Sequence, residues 1–201
     1  MSVTLREIRE SDLEMIMNWR MAPDITRYMN TDPRLTLEGQ HRWLESVRAN
    51  PDVCYWMILV DGQEAGVINL TGLSREDGVL GWAYYVGEKK LRSLKTALSL
   101  EMSLYDYIFD VLQKEALISD VFTLNKGVIQ LHLLCGCEIL EEKKAHICKG
   151  GEFYDVTYMR MTRERWQQVR GEKKYEKISF YTHERLDFPS CPLHDANLRG
   201  M

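Results

Sequence analysis

His132 is a residue on a predicted helix whose imidazole could transfer a proton, and Asn125 is a polar residue seven positions before it. Apolar residues recur at helical spacing in KGVIQLHLLC, which follows Asn125, and Gly136 ends the pattern. Seven residues are about two helical turns, so both side chains lie on one side of this helix. Free imidazole titrates near pH 6.5, so His132 could donate a proton near neutral pH. The plainer alternatives are a helix N-cap for Asn125 and a half-buried helix histidine for His132.

The start of the longest predicted helix could bind an anion. Residues 92–113 contain neither glycine nor proline and carry apolar residues at helical spacing. The free N–H groups and the dipole of a helix N-terminus favour phosphate. Ser93 can donate from its backbone and its hydroxyl, and Lys95 can add a positive charge. The alternative is an ordinary helix start with solvated side chains.

Aromatic residues and an arginine cluster in the N-terminal part of the chain. Aromatic faces stack on planar groups, and the arginine fork suits a diphosphate. Trp19 and Trp43 are of a type that more often belongs to a core, so Arg20 is the stronger functional candidate. The other candidates in this cluster are Tyr28, His41, Tyr55 and Trp56.

The elements that position these residues follow the order β-α-α-β-β-β-α-β-α-β-β. The first helix is predicted to begin at the N-cap Ser11, to run through Arg20 and to be interrupted by Pro23. The turns Asp61-Gly62 and Asp77-Gly78 separate β-rich runs and predict an antiparallel meander. The other predicted elements are a helix at 37–48, strands at 3–8, 54–60, 64–73, 79–87 and 118–124, and two long strands around the turn Lys149-Gly150-Gly151.

Length and composition indicate one globular unit. The chain has 201 residues, of which 45% are hydrophobic and 28% charged, enough for a real core. The net charge is −4 and no dense basic face occurs, which disfavours nucleic acid and anionic membranes as partners. No run approaches the roughly 18 apolar residues of a membrane span. The N-terminus lacks the apolar segment of a signal peptide, so a cytoplasmic location is expected.

Cysteine usage predicts reduced thiols and no metal site. The five cysteines are an odd number, and they form no paired C-x-x-C blocks. They are therefore expected to behave as small, partly buried hydrophobic residues. The positions are Cys54, Cys135, Cys137, Cys148 and Cys191.

The element order, together with a spaced set of residues, resembles the GNAT acetyltransferase superfamily over about residues 3–166. The set comprises Asn18-Trp19-Arg20, Asp24-Ile25, Tyr28-Met29, His41-Arg42-Trp43, the strands at 66–70 and 81–86, Asn125, Leu131-His132, Gly136-Cys137, Tyr154-Asp155-Val156 and 163–166. The resemblance is to the branch that holds ribosomal-protein, spermidine and amino-sugar-nucleotide acetyltransferases. Pseudaminic-acid-pathway enzymes, which acetylate an amino group on a UDP-linked dideoxy sugar, are the nearest likeness.

This resemblance implies an α/β (α+β) fold and a division of the chain. The expected sheet is mixed, mostly antiparallel and twisted, with about seven strands, helices on both faces and a splayed central pair of parallel strands. A single GNAT domain would cover residues 1–170. Residues 171–201 would be an extension that packs against the domain or against a second subunit, and a homodimer is among the expected states.

The resemblance also implies acetyl-CoA as co-substrate, no metal, and a set of site residues. The backbone of Tyr85 and Val86 would contact the pantetheine, and Asn125 would order the cofactor arm. The diphosphate would lie at the helix start formed by Arg92, Ser93, Lys95, Thr96 and Ala97. Family members have glycines in this loop, and here Ser93 and Lys95 replace them. His132 stands where the family often has the tyrosine that protonates the leaving thiolate.

Acceptor and general base are left open by the sequence. Acceptor contacts are expected from Arg20, Tyr28, His41, Tyr55, Trp56 and Tyr154. The candidates for a base are Glu64, Glu101, His41 and Asp155. The expected reaction is acetyl transfer to a small primary amine, preferably on an amino-sugar nucleotide. The alternatives are a protein N-terminus or a polyamine as acceptor, or a GNAT-shaped binding or regulatory protein without turnover.

Overall fold

The computed structural model describes residues 2–172 and 174–181. The helices are α1 (Leu13–Met21), α2 (Pro23–Thr26), α3 (Leu37–Ala49), α4 (Leu94–Asp106), α5 (Lys126–Leu134) and α6 (Arg163–Val169). The strands are β1 (Val3–Glu7), β2 (Val53–Val60), β3 (Gln63–Thr71), β4 (Val79–Val86), β5 (Ala116–Phe122), β6 (Glu138–Lys149), β7 (Glu152–Thr162) and β8 (Ser179–Tyr181). The predicted order of the major elements is thereby confirmed.

The strands form one mixed sheet in the order β6-β7-β5-β4-β3-β2-β1-β8. The neighbours β1 to β4 pair antiparallel, as the predicted meander requires, and β4 pairs parallel with β5. Seven strands match the expected fold. The eighth, β8, pairs parallel with β1 and belongs to the segment that was predicted to be an extension. The division at residue 170 stays a prediction.

The hairpin turn between β2 and β3 has the geometry that its sequence predicts. Asp61 and Gly62 both have positive φ angles, 49° and 79°. Two consecutive residues with positive φ form the turn whose twist matches that of paired strands, and Asp-Gly is a favoured sequence for it. This local geometry sets the register of β2 against β3.

Two hydrophobic cores lie on the two faces of the sheet. Strand β2 alternates between them: Trp56 and Ile58 belong to the larger core with α4, α5 and α6, whereas Met57 belongs to the smaller core with α1 and α3. Successive side chains of a strand point to opposite faces, so an apolar strand supplies both cores. Helices therefore cover both faces, as expected.

The predicted N-cap at Ser11 is wrong. Asp12 accepts a hydrogen bond from the backbone N–H of Arg9 instead, and a short 3-10 turn at Glu10–Asp12 precedes α1. The Asp12 carboxylate is held at the start of the helix because the buried Arg6 on β1 donates hydrogen bonds to it from both terminal guanidinium nitrogens. A buried guanidinium requires such a partner.

The longest helix is shorter than the sequence predicts. Instead of covering residues 92–113, α4 begins after the N-cap Ser93 and continues into a π-helical turn at Tyr107–Val111. The Ser93 hydroxyl accepts a hydrogen bond from the backbone N–H of Thr96 at 3.0 Å. This cap places the helix N-terminus directly beside the end of β4.

The cysteines follow the prediction in part. Cys135, Cys137 and Cys148 are free thiols. Cys54 is bonded in a disulfide, which corrects the expectation of a reduced thiol there. Cys191 lies outside the described residues. Within residues 2–172 and 174–181, no helix is long and apolar enough to cross a membrane, and no three metal-ligating side chains come together.

Candidate active site

A cleft opens where β4 and β5 separate. The two strands pair only through Val79, Leu80 and Gly81 on β4, although both strands continue beyond this point. The backbone from Trp82 to Val86 therefore pairs with β3 on one side, and no strand of the described residues pairs with it on the other. The separation leaves a cavity of about 560 Å³.

Five segments contribute the walls of this cleft. They are the roof formed by α1, α2 and the following loop, the free end of β4, the start of α4, the end of β5, and α5. The lining residues are Arg20, Asp24, Ile25, Tyr28, Met29, Asn30, Thr31, Trp82, Ala83, Tyr84, Tyr85, Val86, Arg92, Ser93, Ala97, Ser119, Asp120, Val121, Asn125, Val128 and His132.

The floor of the cleft is the N-terminus of α4, which forms without glycine. Arg92 and Ser93 have ordinary φ angles of −73° and −150°. No residue in this loop needs the left-handed conformation that favours glycine. Thr96 and Ala97 direct their N–H groups to Ser93. The side chain at Ala97 is small enough for a ligand to approach the first turn.

Arg92 joins the floor to the roof. Its guanidinium donates to the carbonyl oxygens of Val86, at 2.8 Å, and Gly87, at 3.1 Å. The same group forms an ion pair with Asp24 on α2 at 2.7 Å. The hydrogen bond from Arg92 lowers the pKa of Asp24, which keeps this carboxylate charged and paired. Arg92 thus holds the free end of β4 against the roof.

His132 lines the cleft and is attached to a buried carboxylate. Its Nδ1 lies 2.9 Å from Oε1 of Glu101, a residue of α4 that is 0% exposed. The hydroxyl of Tyr84 also donates to this oxygen, at 3.3 Å. Burial, together with the Glu101 charge, raises the pKa of Tyr84 well above its usual value, so the phenol remains a donor. Nε2 is the ring nitrogen of His132 that Glu101 leaves free for other partners.

Asn125 occupies the N-cap position of α5 but does not cap the helix with its side chain. Its backbone oxygen accepts from Ile129, and the side chain is half buried in the wall of the cleft. The plainer reading of Asn125, that of a capping side chain, is therefore wrong, and its amide is available to a ligand.

The roof is attached to the sheet at its far end as well. Asn30 donates from its side-chain amide to Asp120 of β5 at 2.9 Å. Lys149, at the end of β6, donates to the carbonyl of Thr26 and pairs with Asp32 at 3.2 Å. Together with the contact between Arg92 and α2, these bonds hold the roof over the cleft.

Arg20 is the roof residue best placed to bind a ligand group. Its Nη2 donates to the hydroxyl and the carbonyl of Thr31, at 2.8 and 3.1 Å. Its Nη1 is buried and has no hydrogen-bond partner among the described residues. Burial lowers the pKa of Arg20, because water no longer solvates the guanidinium. Tyr85 and Asp32 raise this pKa by smaller amounts.

Several residues predicted to bind the acceptor lie elsewhere. Trp56 is a core residue with 1% exposure and does not line the cleft. Tyr55 packs edge-to-face on Trp43 in the smaller core, and His41 is exposed on α3. Tyr154 stacks on Phe122 at 4.9 Å, beside the cleft wall rather than in it. Arg20 and Tyr28 are the two that line the cleft.

None of the four residues considered as a base lines the cleft. Glu64 pairs with Arg6, Asp155 pairs with Lys144, and Glu101 is buried behind His132. The carboxylate that sequence reasoning missed is Asp120, which does line it. A signal for Asp120 existed in the sequence, because it is a charged residue in the middle of the apolar run ISDVF.

Two predicted cofactor contacts also lie outside the lining. Thr96 is buried and bonded to Ser93. Lys95 directs its ammonium to Glu176 at 2.9 Å, and both side chains are about half exposed. The hydrogen bond from Lys95 lowers the pKa of Glu176, so this pair is charged at neutral pH.

We expect Lys95→Ala to leave CoA affinity nearly unchanged. The ammonium is directed to the C-terminal segment, and exposed ion pairs of this kind contribute little. The dissociation constant, measured by calorimetry, should stay within about twofold of the wild-type value. A much weaker binding of CoA would show that Lys95 leaves Glu176 and contacts the diphosphate.

The splayed parallel pair, the helix start beside it and the cleft-facing residues of α5 make this cleft the candidate site, and the comparisons with known proteins show the family. Residues 2–138 match the family described as "Acetyltransferase (GNAT) domain". The chain therefore belongs to the GNAT acetyltransferases, a family that uses acetyl-CoA.

Among curated proteins, the chain is similar to "Acetyltransferase PseH" of Campylobacter jejuni. It is 26% identical to the protein of strain 81-176 over 144 residues, which are 71% of this chain and 88% of that protein. The same protein from strain NCTC 11168 is 24% identical over 138 residues, 69% of this chain and 84% of the relative.

Solved structures share the fold. A spermidine N-acetyltransferase from Vibrio cholerae in complex with CoA and spermine superposes with a TM-score of 0.76 at 16% identity, covering 83% of this chain and 98% of that one. The aminoglycoside acetyltransferase AAC(6')-Ib in complex with coenzyme A has a TM-score of 0.68 at 22% identity, covering 85% and 100%.

Proposed function

We propose that the chain transfers acetyl from acetyl-CoA to the amino group of an amino-sugar nucleotide. The observation that carries this proposal is the buried, unpartnered Nη1 of Arg20 in the roof of the β4–β5 cleft. A buried guanidinium nitrogen without a partner is costly unless a ligand supplies an acceptor. The diphosphate of a sugar nucleotide is such an acceptor.

The cleft suits the co-substrate in three respects. The backbone of Trp82–Val86 faces the cleft without a partner strand from the described part of the chain, so an extended pantetheine can add to the edge of β4. The first turn of α4 offers N–H groups to a diphosphate. Ser119 on β5 has a buried hydroxyl that lines the cleft and finds no hydrogen-bond partner among the described residues.

Acetyl-CoA supplies the acetyl group as a thioester. Within the chain, His132 is the group that we assign to protonation of the departing sulfur, through Nε2. Backbone N–H groups at the free edge of β4 would bind the carbonyl oxygen as it becomes negative. The side-chain amide of Asn125, which does not cap α5, would hold the cofactor arm between α5 and β5.

Asp120 is the residue that we assign to the acceptor amine. Successive side chains of a strand point to opposite faces, and the neighbours Ser119 and Val121 on β5 point to the face that α5 covers. The Asp120 side chain therefore lies on the opposite face of the sheet, beneath the roof. Its Oδ2 accepts from Asn30, and no basic side chain pairs with it among the described residues. An amine that enters beneath the roof would therefore meet a carboxylate, while His132 lies on the other face.

The charges of the cleft favour this acceptor over a polyamine. Two acidic and two basic residues line it, and the acid Asp24 is already neutralised by Arg92. A polycation would require several unpaired carboxylates, whereas Arg20 would repel it. The relatives named PseH agree with the resemblance of the sequence to pseudaminic-acid-pathway enzymes.

The proposal is tested by assaying thiol release and product mass with acetyl-CoA and a panel of amines. The panel contains a UDP-linked amino-dideoxy sugar, the same sugar without the nucleotide, spermidine, and a peptide with a free N-terminus. We expect the nucleotide-linked sugar to have the highest kcat/KM. Faster acetylation of spermidine or of the peptide would show that a polyamine or a protein N-terminus, and not an amino-sugar nucleotide, is the acceptor. Failure to acetylate any amine or to bind CoA would favour the non-catalytic alternative.

We expect Arg20→Met to raise the KM for the UDP-linked sugar by about tenfold or more, because hydrogen bonds to charged groups contribute ~1.5–3 kcal/mol. The KM for acetyl-CoA should not change. Arg20→Lys keeps the charge without the fork and should show an intermediate KM. Equal KM values for all three proteins would remove Arg20 from acceptor binding.

A further inference from the structure

Glu101 is a fully buried carboxylate in the interior of the larger core. Its neighbours along α4, Leu100 and Met102, are apolar and also buried. Removing a carboxylate from water costs several kcal/mol, and an apolar side chain of similar size would fill the same space without this cost. Since packing alone does not require a charge here, its hydrogen-bond partners indicate what it does.

The two oxygens of Glu101 serve different surroundings. Oε1 lies 2.9 Å from Nδ1 of His132, and it accepts a hydrogen bond from the Tyr84 hydroxyl at 3.3 Å. Both His132 and Tyr84 line the cleft. Oε2 accepts from Tyr105 at 3.1 Å, and the Tyr105 hydroxyl also contacts the thiol of Cys137. Neither Tyr105 nor Cys137 lines the cleft. One oxygen is therefore connected to the site and the other to the core.

The contact with Glu101 restricts both the orientation and the tautomer of His132. The carboxylate form of Glu101 only accepts hydrogen bonds, so with this form Nδ1 of His132 is the donor in the contact to Oε1. Trp82, whose ring lies 5.2 Å from the imidazole, packs beside it and limits its rotation. Nε2 is then the nitrogen that exchanges protons with a ligand in the cleft.

We propose that Glu101 is a positioning residue for acetyl transfer, which accepts the Nδ1 hydrogen of His132 and so directs Nε2 toward the cleft. His132 acts as the imidazolium, with a hydrogen on each nitrogen, and gives the Nε2 hydrogen to the leaving sulfur while Nδ1 keeps its own. This inference rests on the proposed function, in which His132 protonates the leaving sulfur. Glu101 itself touches no reacting atom, because it is buried behind the imidazole.

Glu101→Gln tests this role, because the amide has the same shape but can donate as well as accept. We expect kcat to fall about 10- to 100-fold, the size typical for loss of a carboxylate that orients a functional histidine. The KM for acetyl-CoA should stay unchanged. In nitrogen-15 spectra of the neutral ring, which is the form left after Nε2 has given up its hydrogen, His132 should carry its hydrogen on Nδ1 in the wild-type protein and populate the Nε2-H tautomer in the variant.

Tyr105→Phe is the matched control. It removes the hydrogen bond to Oε2, in the same core and on the same helix, and leaves Oε1 with His132. We expect kcat and the tautomer to remain as in the wild-type protein. A wild-type kcat in Glu101→Gln, or an equal loss of kcat in Tyr105→Phe, would overturn the proposal. If the wild-type protein acetylates no amine, the proposed function fails, and the tautomer of wild-type His132 still decides whether Glu101 positions it.

Discussion

Replacing His132 by phenylalanine should reduce kcat by about 10²- to 10⁴-fold, the usual contribution of a positioned general acid. Phenylalanine retains the aromatic packing on Trp82 but has no proton to donate. The dissociation constant of CoA should change little, because the first turn of α4 and the edge of β4 are untouched. Pre-steady-state release of thiol, measured beside CoA binding by calorimetry, separates these two quantities.

His132→Asn controls for the loss of the bond to Glu101. The asparagine amide can donate to Oε1 in place of Nδ1–H, so the buried carboxylate keeps a partner, but it cannot deliver a proton. We expect its kcat to be as low as that of His132→Phe, with a smaller loss of stability. Wild-type turnover in either variant would exclude His132 from the mechanism.

The second large effect should come from Gly66→Ala on β3. A Cβ atom at Gly66 would lie 1.9 Å from the carbonyl oxygen of Tyr85 and 2.8 Å from Cα of Val86. Both are backbone atoms of the free end of β4, so no side-chain rotation relieves the clash. We expect the free energy of unfolding to fall by about 3 kcal/mol. A displacement of the strand by about 1 Å could also cost roughly 100-fold in turnover.

Gly127→Ala is the matched glycine substitution. A Cβ atom at Gly127 meets nothing within 4 Å, and the residue lies in the first turn of α5. Alanine is favoured over glycine in a helix by up to about 1 kcal/mol, so this variant should be as stable as the wild-type protein or slightly more stable. Urea denaturation of both variants makes the comparison. Equal stability of Gly66→Ala and the wild-type protein would show that β3 and β4 can separate without cost.

The order of elements could be read from the sequence because each signal was local. Asp61-Gly62 and Gly136 mark a turn and a helix end through backbone geometry that depends on few neighbours. The start of α1 was placed wrongly for a non-local reason: Asp12 is committed to the buried guanidinium of Arg6. The sequence does not predict β8, because its three residues pair with β1 without a hydrophobic period of their own.

Helical spacing and the family resemblance located several residues that line the cleft. His132, Asn125, Arg92, Ser93 and Ala97 all line the cleft. The sequence does not predict which aromatic residues of the N-terminal part of the chain face the cleft. Tyr55 and Trp56 are adjacent on β2, and their side chains pack into the two cores instead. The role of Lys95 depended on a partner, Glu176, that lies far along the chain. The contact of Glu101 with His132 likewise joins two helices that no sequence period relates.

Hydrogen exchange measured with and without acetyl-CoA tests most directly whether the β4–β5 cleft holds the co-substrate. Bound ligand should slow the exchange of backbone amides in the free end of β4, at 82–86, and in the first turn of α4, at 94–97. The β6–β7 hairpin around Gly150 should exchange as before, since it does not line the cleft. Unchanged exchange in both segments at saturating acetyl-CoA, or protection confined to another part of the chain, would contradict this placement of the site.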